Sequence, residues 1–217
     1  MIKKIIVSVC IALLMFASQA QAAPEQFRDG VVTLRNQADN VLVGGGFLVK
    51  GGYVITNKHV IGIYPNIKAV DSKGNVYSLK RMTTDIDSDL ALLRTTALPD
   101  NYSYLDLAKD SHSSEYQVIA SSRSYADVYK TGVKVESKAT ALYYTSNFGS
   151  KSGQLITAGV MDFYSFSAEP GNSGSAVVND AGDVVGVVAG FEMGTNHAMG
   201  VPLQDLKDFL DLNNITY

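Results

Sequence analysis

The chain has 217 residues, 46% of them hydrophobic, with 18 Lys and Arg against 21 Asp and Glu and a formal charge of −3. A mildly acidic chain with no Lys/Arg cluster speaks against nucleic acid or an anionic membrane as partner. The single cysteine excludes a disulfide framework and a Cys-ligated zinc site, so stability has to come from a buried core, which a chain of this length can build.

The chain opens with Lys3 and Lys4, an apolar stretch Ile5–Ala17, and the small-x-small pattern Ala20-Gln21-Ala22. This is the pattern of a secretory signal peptide, residues 1–22, with cleavage expected after Ala22. The apolar stretch is shorter than the roughly 20 residues that a bilayer crossing needs. Cys10 lies within it, after Val9 rather than a small residue, so lipid attachment is not expected and residues 23–217 hold no cysteine. The basic, short signal reads as bacterial, and the mature chain is expected in the periplasm or the medium.

From Gly30 to Thr95 the chain reads strand after strand: "GVVTLRNQ", "VLVGGGFLV", "GYVIT", "IKAVDSKGNVYSLKRM" and "LALLRT", punctuated by Gly, Asn, Lys and Asp. A polar stretch rich in turn formers, Pro99–Ser114, separates these from a second series: "YQVIASS", "GVKVESKATALYY", "GQLITAGVMDF", "SGSAVVN", "DVVGVVAGF" and "HAMGVP". The one strong helix is "PLQDLKDFLDL", with Pro202 available for its first turn and Leu203, Leu206, Phe209 and Leu210 at helical spacing. The expected class is all-β: two barrels packed across a cleft, about 28–98 and 113–201, then a C-terminal α-helix at about 203–212. No internal sequence repeat is visible.

The chemistry centres on "AEPGNSGSAVV". A nucleophilic Ser173 needs a base and a group to orient it. Of three histidines, His112 and His197 lie among loop formers and read as exposed loop residues, whereas His59 follows the apolar strand ending at Thr56-Asn57. Locally, a histidine on the first turn of a short helix is an equally good reading of His59. Among Asp85, Asp87 and Asp89, only Asp89 adjoins the run Leu90-Ala91-Leu92-Leu93 and is drawn into a core. Amides at Gly171 and Ser173 are placed to donate to an oxyanion, since glycine permits the unusual dihedrals that aim an N–H inward. Pro170 stiffens the approach, the Asn172 side chain anchors the loop by a local hydrogen bond, and the expected oxyanion hole comprises Gly171, Asn172 and Ser173.

With "GGGFLVKGGYVITNKHVI", "SDLALLR" and "EPGNSGSAVVNDAGDVVGVV" in this order, the sequence resembles the chymotrypsin-fold serine endopeptidases. It is most similar to the bacterial branch of high-temperature-requirement proteases and glutamyl endopeptidases. The resemblance spans about Gly44 to Leu206. It implies two six-stranded antiparallel barrels, a His59–Asp89–Ser173 triad and hydrolysis of protein or peptide substrates through an acyl-enzyme, without a cofactor or metal. The Gly-x-Ser-x-Gly nucleophile signature of α/β-hydrolases is absent, as are Walker-type and Rossmann-type glycine patterns.

The same resemblance places Ser167 at the base of the specificity pocket. Without an acid there, preference for Lys or Arg is not expected. Pro170 belongs to the substrate-binding set. Val188 stands where glutamyl endopeptidases carry a histidine, and Ala189-Gly190 is the expected wall for strand addition. Small or medium apolar residues are therefore expected before the scissile bond, with Glu169 as a competing attraction for a basic side chain. A PDZ domain is not expected after the terminal helix, nor a pro-peptide, because Asn172 replaces the aspartate that would receive a freed N-terminus. The alternatives are a non-catalytic protein on the same double barrel, or an unrelated exported β-barrel adhesin or binding module in which Ser173 is only a turn residue. No oligomeric state follows from the sequence.

Overall fold

The computed structural model describes residues 29–62, 64, 66–85, 87–95, 97–121, 127–144 and 154–217; the expected signal peptide lies outside them. Six strands come first: β1 Val31–Asn36, β2 Leu42–Val49, β3 Tyr53–Asn57, β4 Ile67–Asp71, β5 Val76–Thr84 and β6 Leu90–Arg94. They close into a barrel in the order β1-β2-β3-β6-β5-β4, every pair antiparallel. A single helical turn, α1 (Lys58–Ile61), follows β3.

The second series gives β7 Tyr116–Ser121, β8 Asp127–Gly132, β9 Lys134–Tyr144, β10 Gln154–Ser167, β11 Ala176–Val178, β12 Val184–Phe191 and β13 His197–Pro202. These form a seven-stranded sheet in the order β8-β7-β11-β12-β13-β10-β9. Its two edge strands, β8 and β9, are joined by Val133 alone. At that corner the Val133 carbonyl accepts from the Ser165 N–H at 2.9 Å and the Val133 N–H donates to Ser165 Oγ at 3.0 Å, so β8 ends against β10. Counted as one bent strand, β8–β9 reduces the seven strands to six and gives them the same pairing order as the first barrel. The expected pair of six-stranded barrels thus takes the form of one closed barrel and one sheet that closes through a corner.

Buried side chains sort by strand face. Val32, Leu34, Leu48, Val54, Ala91 and Leu93 fill the first barrel. Tyr116, Val118, Tyr164, Phe166, Val177 and Val185 form the core of the second sheet. The opposite face of the first barrel, with Phe47, Ile55, Leu90 and Leu92, packs with Met161, Phe163, Val187 and the terminal helix in a third cluster between the halves. This is why "LALL" is apolar on both faces: alternate residues point inward to the barrel and outward to the partner sheet. Each such leucine is worth roughly 1.5–3 kcal/mol of burial.

The polar connector joins the halves. Leu105 N–H donates to the Leu48 carbonyl, and Asp106 and Ala108 bond both ways with Val184. The last helix, α2 (Leu203–Leu212), starts from Pro202 in extended conformation and buries Leu203, Leu206, Phe209 and Leu210. Among the described residues, no helix is long and apolar enough to cross a membrane.

Candidate active site at the barrel interface

Asp89 precedes β6 and is fully buried, with φ +59. The left-handed backbone is uncommon for a residue with a side chain, although Asp tolerates it better than most. It folds the residue back over the start of α1. The Asp89 carbonyl accepts the Lys58 N–H at 2.8 Å, and its Oδ1 accepts the His59 N–H at 3.0 Å. A four-residue helix with no side-chain cap from Asn57 thereby has two orphan donors satisfied by one aspartate. The remaining oxygen, Oδ2, lies 2.7 Å from His59 Nδ1. One carboxylate therefore fixes both the backbone and the ring of His59.

The Ser173 loop is seated on β2 by glycines. Gly45 N–H donates to the Ser173 carbonyl at 2.8 Å, and a Cβ on Gly44 would stand 2.9 Å from that oxygen and 2.7 Å from Val60 Cγ1. Ser173 and the residue after His59 thus meet at one bare glycine. Gly174 has φ +88, and a Cβ there would collide with the Gly45 carbonyl and with Thr56 Oγ1, which itself donates to Gly45 O at 2.7 Å. The glycine-rich strand, the end of β3 and the serine loop are packed backbone on backbone.

Within the loop, Gly171 has φ +106, Asn172 N–H donates to the Glu169 carbonyl at 2.9 Å, and Asn172 Oδ1 accepts the Glu169 N–H at 2.9 Å. Asn172 is thus the expected local anchor, but it is not the oxyanion donor the sequence also suggested, because its backbone N–H is taken by the Glu169 carbonyl inside the loop. Neither the Gly171 nor the Ser173 amide donates to an acceptor among the described residues. The Ser173 hydroxyl donates to the Ala189 carbonyl at 3.3 Å. Ala189 is the extra residue of a bulge, since the register with β13 shifts between Val188 and Gly190, and the bulge turns its carbonyl toward the serine.

The residues expected to bind substrate divide. Ser167 closes β10, and Pro170 is exposed beside Gly171. Gly190 stands on the wall strand beyond Ala189, where a Cβ would press on Leu142. Val188 does not line a cleft: it is 1% exposed, its N–H donates to Ser175 O and its carbonyl accepts Gly174 N–H. It braces the serine loop from behind. His197 is also not a loop residue, because it begins β13 directly opposite Ser167, half-buried. His112 is exposed. Beyond the wall, the Glu192 carboxyl is held below its ordinary range chiefly by hydrogen bonds from Lys138 and Thr195.

One residue escaped the sequence reading. Lys130 of β8 places its Nζ 2.8 Å from Ser167 O, 3.5 Å from Ser167 Oγ, 3.2 Å from Glu169 Oε1 and 3.4 Å from Asn172 Oδ1. Its side chain is 12% exposed, against 65% for Glu169. In "DVYKTG" it reads as any lysine on an edge strand, and only the pairing of distant strands brings it here. Among the described residues, no group of three His, Asp or Glu side chains is placed to hold a metal ion.

Residues 44–187, which contain His59, Asp89, Lys130 and the Ser173 loop, match the family described as the trypsin-like peptidase domain. The serine endoprotease DegS of Haemophilus influenzae is 28% identical over 152 residues, 68% of this chain and 41% of that protein. The serine protease HTRA1A of Danio rerio is 28% identical over 192 residues, 86% of this chain and 37% of that one. The chain therefore spans about two fifths of the curated relatives it matches. Among solved structures, the active form of the Rv3671c protease of M. tuberculosis superposes with a TM-score of 0.70 at 19% identity, covering 88% of this chain and 83% of that one. By fold and by family match, the chain belongs to the trypsin-like peptidase domain family.

Proposed function

We propose that the protein is an exported serine endopeptidase, with Ser173 as nucleophile, His59 as general base and acid, and Asp89 as the group that orients His59. The observation that carries this reading is the double hold of Asp89 on His59, at 2.7 Å to the ring and 3.0 Å to the backbone, beside a serine loop whose Gly171 and Ser173 amides have no acceptor among the described residues. By the mechanism common to this family, Ser173 Oγ turns from the Ala189 carbonyl toward His59 and attacks the scissile carbonyl carbon. The Ser173 proton passes to the imidazole, and the tetrahedral oxyanion takes hydrogen bonds from the Gly171 and Ser173 amides. His59 then returns the proton to the leaving amine, and a water repeats the sequence on the acyl-enzyme.

The substrate reading is protein or peptide chains with a small or medium apolar residue before the cleaved bond. Ser167 brings no charge to the pocket base, and the Glu169 carboxylate, which would otherwise attract a basic side chain, is paired with Lys130. Export rests on the signal-like residues 1–22 and on resemblance to an exported family. A fluorophosphonate probe tests the assignment: the protein should be labelled, and Ser173→Ala and His59→Ala should not. An unlabelled folded protein would establish the non-catalytic alternative, and labelling that survives Ser173→Ala would remove the nucleophile.

A further inference from the structure

We propose that Lys130 is a positioning residue for Ser173: its ammonium clamps the segment Ser167–Asn172 in the shape that leaves the Gly171 and Ser173 amides directed at an oxyanion. The inference rests on the endopeptidase reading and extends it to a residue on another strand. The segment leaves β10 after Ser167 and is seated at its ends by the burial of Ala168 and by the Ser175 N–H on the Asn172 carbonyl. Its internal bonds are the reciprocal pair between Glu169 and Asn172, which close a turn upon itself. Within that turn lies Gly171 at φ +106, a residue with no side chain to resist rotation of its flanking peptides.

Lys130 acts on both sides of this glycine. Before it, Nζ donates to the Ser167 carbonyl and the Glu169 carboxylate; after it, to Asn172 Oδ1, which also accepts the Glu169 N–H. An ammonium has three protons, and these are its three nearest acceptors. The lysine has a rigid base, because β8 pairs with β7 in unbroken register, Lys130 opposite Val118. Its low exposure makes charge-assisted bonds stronger than those of a fully exposed lysine, and Glu169 balances the charge.

The test uses the full-length mature protein, Lys130→Met, Lys130→Gln, and each of these combined with Ser173→Ala. Amide hydrogen exchange of residues 167–174 reads the clamp without reference to activity, and the fluorophosphonate labelling rate reads the oxyanion site. In Lys130→Met, exchange over 167–174 should rise at least tenfold in both backgrounds and labelling should slow at least tenfold, while the melting temperature and β8 exchange stay near those of the parent. Lys130→Gln, which keeps a hydrogen-bond donor without charge on a side chain one atom shorter, should slow labelling at least threefold, and it decides the matter if the Met variant does not fold. Unchanged exchange in the folded variant overturns the clamp. Faster exchange with labelling at the parental rate overturns the positioning role. Faster exchange in a protein whose parent is never labelled overturns the endopeptidase reading, and with it any role at an oxyanion.

Discussion

Both carboxylate oxygens of Asp89 are committed to His59, one to its ring nitrogen at 2.7 Å and one to its backbone N–H at 3.0 Å. The residue proposed to orient the base therefore also caps the helix that carries it. Structure and chemistry at this point are separable by substitution. Asparagine keeps the shape and tolerates φ +59, but an amide cannot present the same acceptor to Nδ1–H. Asp89→Asn should lower kcat/KM on a peptide substrate by about 10⁴-fold, as in other triads, with little change in melting temperature. Asp89→Ala should in addition lose the side-chain bond to the His59 N–H, while its carbonyl keeps the Lys58 N–H, and cost roughly 1–3 kcal/mol of stability, read from urea unfolding. Parental kcat/KM in folded Asp89→Asn would show that the carboxylate serves the fold alone.

Gly174 sits where the serine loop touches the end of β3 and the glycine strand. A methyl group there meets the Gly45 carbonyl and Thr56 Oγ1, at a backbone angle of +88° that side chains rarely adopt. Neither neighbour can retreat cheaply, since one is backbone and the other is bonded to it. Gly174→Ala should destabilise by roughly 2–4 kcal/mol from strain and overpacking together. The denaturant midpoint measures it, and a loss under about 1 kcal/mol would mean the loop can lift away from β2. Such a lift should also abolish labelling at Ser173.

Strands, the terminal helix and the His59, Asp89 and Ser173 neighbourhoods were legible because each has a local cause. Alternation marks a pleated strand, "LALL" marks a strand buried on both faces, and the aspartate before it enters the core with the chain. What was not legible depends on which strands become neighbours. Alternation along "DVYKTG" does not say that Lys130 will face Ser167, 37 positions away in the chain. The bend at Val133, which turns one long strand into two sheet edges, has no turn residue beyond Gly132 to announce it. Val188 and His197 were misread for the same reason: "VVAGF" does not reveal a bulge at Ala189, and "GTNHAMG" does not reveal that His197 opens a strand.

The turn Asp71–Asn75 in the first barrel carries a pH signature. Partial burial raises the Asp71 pKa, but this is outweighed by hydrogen bonds from the Asn75 side chain, the Tyr77 hydroxyl and the Asn75 and Lys73 amides, so the carboxyl is held below its ordinary range. A lowered carboxyl pKa stabilises the fold above the unfolded value and loses that contribution as pH falls through the folded one. Asp71→Asn should cost about 1 kcal/mol at pH 7, a figure kept small because solvent screens the site. The gap between variant and parent should stay constant down to about pH 5 and narrow below pH 4. Urea midpoints at pH 7 and 3.5 measure it; a gap that widens with acid would reverse the assignment.

Lys130 also sets what Ser167 can be made into. On the family resemblance alone, an acid at the pocket base would select Lys or Arg, so Ser167→Asp would be the substitution of choice for a basic specificity. Here the Lys130 ammonium is 3.5 Å from Ser167 Oγ, and a carboxylate grown from that position would be paired by the lysine before a substrate arrived. Pairing removes the charge that would repay desolvating a substrate cation. Ser167→Asp should therefore raise kcat/KM for peptides with Lys or Arg before the scissile bond by less than about tenfold, a gain under about 1.4 kcal/mol. The same substitution should draw Lys130 away from Glu169 and Asn172, so turnover of apolar substrates should fall as well. Steady-state kinetics on matched Lys, Arg, Ala and Val peptides separate the effects. A gain of a hundredfold or more for the basic peptides, with apolar turnover unchanged, would mean that the lysine and the pocket base do not share one electrostatic site.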